Sequence, residues 1–141
     1  MILIDTNILV DVLADDPEWA DWSIAQLRAQ SRIHRLAINP IIYAELSLTF
    51  SSVEALDQTI DDLELALIEL PRPALFLAGK AFVHYRRQGG RKTNVLPDFF
   101  IGAHAAAIKC PLLTRDTGRY AFYFPALNLI APDAGQRKKQ S

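Results

Sequence analysis

Apolar residues along this chain alternate between short continuous runs and longer stretches at helical spacing. Ile2-Leu3-Ile4 is apolar on successive positions, the pattern of a strand buried on both faces. Ile8, Leu9, Val12 and Leu13 then fall on one stripe of a helix over about residues 6–13. Residues 17–30 predict a second helix with Pro17 at its first position, and 35–38 a second strand. Asn39-Pro40, a capping residue followed by proline, opens a helix that carries Glu45 and runs to about residue 50. Ser52 opens another to residue 65; 66–70 follows as a strand, and 73–87 as a helix ended by Gly89-Gly90. Residues 97–109 are apolar or small nearly all round, so this helix is expected to pack deeply. A strand at 112–114, a short helix at 117–123 and a strand at 127–130 complete the pattern.

Strands separated by helices imply βαβ units, so the expected class is α/β with a central parallel sheet covered on both faces. In such sheets ligands bind beyond the carboxyl ends of the strands, where the winding direction reverses. The 141 residues fit one domain, expected over 1–132, with a polar and disordered tail over 133–141 that includes Arg137-Lys138-Lys139. No repeat or low-complexity linker interrupts the chain.

Composition narrows the class only modestly. Half of the residues are apolar and 22% are charged, as in an ordinary soluble protein. No apolar run approaches a membrane span, and the start meets Asp5 at once, unlike a signal peptide. The lone Cys110 allows no intrachain disulfide, which suits a reducing cytoplasm. A formal net charge of -1 is not that of a typical duplex-DNA binder, so any nucleic-acid contact is expected to be local.

Four acids carry the candidate chemistry. Taken singly, each has a plain structural role. Asp5 can cap the helix beginning Thr6-Asn7, Asp98 suits the positive end of its helix, and Asp116 suits a turn in Thr114-Arg115-Asp116-Thr117-Gly118. Glu45 interrupts an apolar stripe with Ile41 and Leu48, which fits an edge position reaching water. Together they read differently. Asp5 and Asp116 each follow a parallel strand, and Glu45 and Asp98 lie towards the starts of crossover helices, so the topology draws all four to one crevice. Unpaired, such carboxylates repel and take up protons; a divalent cation relieves this. Oxygen-only ligands point to Mg²⁺ or Mn²⁺ rather than zinc, and His34, His84 and His104 show no ligand spacing. A bound ion of this kind suits phosphodiester hydrolysis by lowering the pKa of water. Thr6, Asn7, Thr114 and Thr117 stand beside the acids and can orient them, although capping is the simpler role for Thr6 and Thr117.

Ile-Leu-Ile-Asp5-Thr6-Asn7, the helical Glu45, Leu96-Pro97-Asp98 before a small-residue helix, and Leu113-Thr114-Arg115-Asp116 together resemble a PIN-domain ribonuclease. Length and order resemble the VapC toxins of bacterial and archaeal toxin–antitoxin modules, from residue 1 to about 132. The resemblance implies an α/β/α sandwich and a Mg²⁺- or Mn²⁺-dependent endoribonuclease acting on tRNA or rRNA. It implies Asp5, Glu45, Asp98 and Asp116 as the acidic quartet, with Asp116 the least dependable ligand. It further implies a homodimer and inhibition by a VapB-type antitoxin whose C-terminal segment occupies a groove of the toxin.

Arg86, Arg87, Arg91 and Lys92 bracket Gly89-Gly90 beside Tyr85, a loop suited to gripping RNA phosphates and stacking a base. Arg86 and Arg87 equally suit a helix end, where cations answer the dipole. Arg115 and Arg119 flank Asp116 and suit either substrate contact or charge balance. Trp19 and Trp22, and the stripe Leu56, Ile60 and Leu63, suit the core or an antitoxin groove. Three other readings compete. An aspartyl-phosphate phosphatase of the haloacid-dehalogenase kind also places Asp after its first strand, but wants a second Asp where this chain has Asn7. A non-catalytic binding module is disfavoured by the intact quartet. A flap-type DNA nuclease is usually longer.

Overall fold

A computed structural model describes residues 1–133. Five parallel strands form one sheet in the order β3-β2-β1-β4-β5: β1 (Ile2–Ile4), β2 (Leu36–Ile38), β3 (Ala66–Leu67), β4 (Leu112–Leu113) and β5 (Leu129–Ile130). Seven helices among the described residues join and cover it as an α/β/α sandwich: α1 (Thr6–Leu13), α2 (Ala20–Ser31), α3 (Pro40–Ser47), α4 (Val53–Asp62), α5 (Arg72–Arg87), α6 (Leu96–Ile108) and α7 (Gly118–Tyr123). β1 lies in the centre, with Ile2 opposite Leu36 on one side and Leu3 opposite Leu112 on the other. Its three residues are wholly buried, as two-sided packing of a parallel strand requires. Each such side chain contributes about 1.5–3 kcal/mol of hydrophobic stabilisation.

The chain winds outward from β1 through β2 to β3, then returns through α5 and α6 to β4 on the other side of β1. The winding direction therefore reverses between β1 and β4, and a crevice opens beyond their carboxyl ends. Asp5 directly follows β1, and Asp116 lies just past β4.

Local signals explain most boundaries. Asn39 caps α3, its Oδ1 accepting from Ile42 N at 2.9 Å, and Ser52 caps α4 by accepting from Ala55 N at 3.1 Å; such caps are worth about 1 kcal/mol each. Regular α2 begins at Ala20, later than the expected residue 17, but Asp16 already caps the turn that Pro17 opens. Its Oδ2 accepts from Glu18 N and Trp19 N at 3.0 and 2.8 Å. α4 stops at Asp62 because Glu64 adopts a left-handed φ of 54°, a stop without a glycine to announce it. β3 is shorter than the expected 66–70 because β2 ends at Ile38, and the ladder has no partner beyond it. α3 ends at Ser47, so Glu45 stands in its last turn and not towards its start as expected; the helix is only eight residues long, and Thr6 reaches Glu45 from the start of α1. Of the expected tail over 133–141, residues 134–141 lie outside the described residues.

No helix of the described residues is long and apolar enough to cross a membrane.

Candidate metal-binding active site

Asp5, Glu45, Asp98 and Asp116 line one open cleft of about 290 Å³, together with Thr6, Asn7, Val10 and Arg115. The cleft stands at the switch point between β1 and β4.

Asp5 is the buried member, 4% exposed. It does cap α1, its Oδ1 accepting from Thr6 N at 2.8 Å. Its Oδ2 accepts from Thr114 Oγ1 at 2.8 Å, Tyr120 OH at 3.0 Å and, more weakly, Asn7 Nδ2 at 3.4 Å. Burial nevertheless pushes the carboxyl up from 3.8 to about 7, the Asp98 charge adding to the rise and the hydrogen bonds opposing it. An anion so poorly hydrated is one that a nearby cation stabilises strongly.

Thr114 is the hub beneath it. Fully buried, its Oγ1 donates to Asp5 and accepts from Asn7 Nδ2 at 3.3 Å and from Asp116 N at 3.0 Å. Asn7 Oδ1 in turn accepts from Arg115 N at 3.3 Å. Asn7 and Thr114 thus lock the turn after β4 against the start of α1. Thr6 does more than begin a helix: its hydroxyl donates to Glu45 Oε1 at 2.7 Å, drawing the last turn of α3 to the cleft.

Asp98 sits in the first turn of α6 and accepts from Arg119 Nη1 at 2.5 Å. Burial raises its proton affinity, and Asp116 and Glu45 add to the rise, against the opposing pull of Arg119. Asp116 is exposed, and its Oδ1 accepts from Gly118 N at 3.2 Å, starting α7.

Two elements of the site carry little sequence signal of their own. Tyr120, 1% exposed, reaches Asp5 from α7, and burial beside the carboxylates holds its phenol well above the usual range. Asp11, 2% exposed, takes both Nε and Nη2 of Arg115, at 2.6 and 2.9 Å, and also Ser23 Oγ at 2.8 Å. The Arg115 guanidinium lies over the Trp19 ring at 5.0 Å. A single acid within a helix gives little warning of such a pair; the position of Asp11 between Val10 and Val12 is the one hint that the sequence offers.

The other sequence candidates fall elsewhere. Arg86, Arg87, Arg91 and Lys92 are exposed around the end of α5, and none lines the cleft. Tyr85 is turned inward against Phe99 and Tyr123, and its hydroxyl accepts from Lys92 N at 3.1 Å, so its ring is not a free stacking face. His104 is buried with Nδ1 3.1 Å from Asn39 Nδ2. Because Asn39 Oδ1 is committed to Ile42 N, its amide donates, which makes His104 Nδ1 the acceptor of a neutral ring; burial lowers its proton affinity accordingly.

Among the described residues no three His, Cys, Asp or Glu side chains are grouped as a ready-made metal site. The donor chemistry still fits a hard divalent cation: the cleft offers carboxylate and hydroxyl oxygens, and its most buried carboxylate is short of positive charge.

The sequence matches the PIN domain family over residues 2–124. Among curated proteins none matches it. Several solved structures share the fold. VapBC2 from Rickettsia felis, bound to a DNA fragment from its promoter, aligns with a TM-score of 0.72 and 24% identity, covering 94% of this chain and 100% of that one. VapBC-1 from nontypeable Haemophilus influenzae aligns at 0.70 and 20% identity, covering 93% and 98%. A toxin–antitoxin complex from Klebsiella pneumoniae aligns at 0.66 and 25% identity, covering 94% and 98%.

Proposed function

The chain belongs to the PIN domain family, and from that premise we propose that it is the VapC-type toxin of a toxin–antitoxin pair, an endoribonuclease dependent on Mg²⁺ or Mn²⁺. The observation that carries this reading is the convergence of Asp5, Glu45, Asp98 and Asp116 on one cleft at the sheet's switch point. PIN domains are typically nucleases, and the acids stand where a nuclease of this architecture would do its work.

Asp5 and Asp98 are the principal ligands in this account, with Glu45 and Asp116 completing the set from the cleft's other sides. A bound divalent ion supplies an acidified water and stabilises charge on the phosphate and the leaving oxygen. The protein supplies position. Thr114 and Tyr120 hold Asp5 in one orientation, and Thr6 holds Glu45. Water is the nucleophile in this reading, since a bound divalent ion would lower its pKa and no covalent intermediate on the protein is then needed.

RNA is the substrate we assign, with tRNA or rRNA the expected class. The exposed cations Arg86, Arg87, Arg91 and Lys92 serve as outlying phosphate contacts, and Arg119 as one within the site. The similarity to toxin–antitoxin complexes supports a VapB-type antitoxin as partner. Its seat is the apolar groove of about 420 Å³ lined by Val10, Leu13 and Phe50, which shares Val10 with the acidic cleft. A homodimer and a cytoplasmic location belong to the same reading, as does a functional domain over 1–132. Metal-dependent cleavage of RNA that disappears with Asp98→Asn tests it.

A further inference from the structure

Arg115 and Arg119 each answer an aspartate, and the two pairs differ in kind. Arg115 grips Asp11 through two bonds, at 2.6 and 2.9 Å, and the Asp11 side chain is only 3% exposed. Arg119 reaches Asp98 through a single bond of 2.5 Å, where the two side chains are 26% and 29% exposed. A bidentate pair on a buried carboxylate is a fixed strut, because separating it strands that carboxylate without its cation, even though the Arg115 side chain is itself 29% exposed. A monodentate, partly hydrated pair is held weakly and gives way to a stronger cation.

On the reading above, Asp98 also belongs to the metal site, so its carboxylate has two claimants. We propose that Arg119 is the site's internal counter-cation, holding Asp98 until a divalent metal ion displaces it. Asp98 lines the cleft with Glu45 and Asp116, so three carboxylates share its rim. Without a metal, a cation at this position relieves their mutual repulsion. Helix α7 thereby answers two carboxylates through adjacent residues. Tyr120 stays fixed on buried Asp5, while Arg119 yields at the cleft's rim.

The inference rests on the metal-dependent reading, and one titration separates the two. Free Mn²⁺ is followed by electron paramagnetic resonance as it is added to the full chain, to Arg119→Gln and to Arg119→Lys. Removing the competing charge is expected to tighten Mn²⁺ binding in Arg119→Gln by about fivefold, while Arg119→Lys stays within about twofold of the parent. Equal or weaker binding by folded Arg119→Gln, with a parent that binds Mn²⁺, overturns this inference alone. No Mn²⁺ binding by the parent overturns both. The unmutated chain gives a second readout that needs no variant. Saturation with Mg²⁺ is expected to shift the side-chain NMR resonances of Arg119 and leave those of Arg115 in place; an unmoved Arg119 under saturation contradicts the proposal.

Discussion

Tyr120 donates its hydroxyl to Oδ2 of Asp5 at 3.0 Å, although 115 residues separate the two. The contact joins the last helix to the end of the first strand beneath the cleft. Removing it with Tyr120→Phe keeps the ring's packing and takes one donor from a buried carboxylate. The expected cost is about 1–2 kcal/mol at pH 8, where Asp5 is ionised, and less at pH 5, where it is protonated. Urea unfolding at the two pH values measures this; an equal loss at both would show that the bond does not serve the charge.

Asp5 also makes stability depend on pH. Burial raises it from 3.8 to about 7, so between these values the folded chain keeps a proton that the unfolded chain has released. Stability in the absence of metal therefore falls as pH climbs from about 4 to about 7, by up to roughly 4 kcal/mol, and levels off above. Asp5→Asn removes this ionisation, at the cost of one acceptor. In chelator it is expected to be more stable than the parent by roughly 1–3 kcal/mol at pH 8, and no more stable at pH 4. Thermal melts across that range decide it, and a parent that gains stability from pH 5 to 7 relative to the variant has the opposite sign.

The Asp11–Arg115 pair predicts an asymmetry. Arg115→Ala leaves a buried carboxylate without its cation and is expected to cost about 3–5 kcal/mol. Asp11→Ala leaves a guanidinium that can still reach water, since the Arg115 side chain is 29% exposed; the expected loss is about 1–2 kcal/mol. Denaturant unfolding of both variants and the double variant checks this, the double being expected to lose less than the sum.

Gly102 in α6 has no room for a methyl group. A Cβ there would stand 2.6 Å from the Phe124 ring and 2.9 Å from Tyr120 Cδ1. Gly102→Ala is therefore expected to destabilise by about 1–3 kcal/mol through overpacking. Because Tyr120, one of the crowded rings, also holds Asp5, the substitution is expected to alter the Asp5 titration followed by carboxyl NMR. A stable variant with an unchanged titration would show that the methyl group is accommodated without disturbing the Tyr120–Asp5 contact.

The sequence carried the architecture because its signals were local. The two-sided burial of Ile2-Leu3-Ile4, the Asn39-Pro40 start and the small-residue face of α6 each report on a few neighbouring residues. Alternating strands and helices then place Asp5 and Asp116 at the same sheet edge by topology alone. What stayed hidden depends on side chains meeting across long separations. Tyr120 reads as any aromatic of a short helix, and Asp11 as any acid on α1, until packing brings them to Asp5 and Arg115. Glu64 entered a left-handed turn without glycine, so the end of α4 was equally silent.

The central claim is that the four acids make this chain a metal-dependent ribonuclease. Its most direct test is incubation of the purified protein, freed of any antitoxin, with total RNA in Mg²⁺ or chelator, beside Asp98→Asn. Discrete fragments that require Mg²⁺ and vanish with a folded Asp98→Asn are the expected result, and mapping their ends identifies the RNA cut. Cleavage that persists in chelator, or at full rate in Asp98→Asn, contradicts the account.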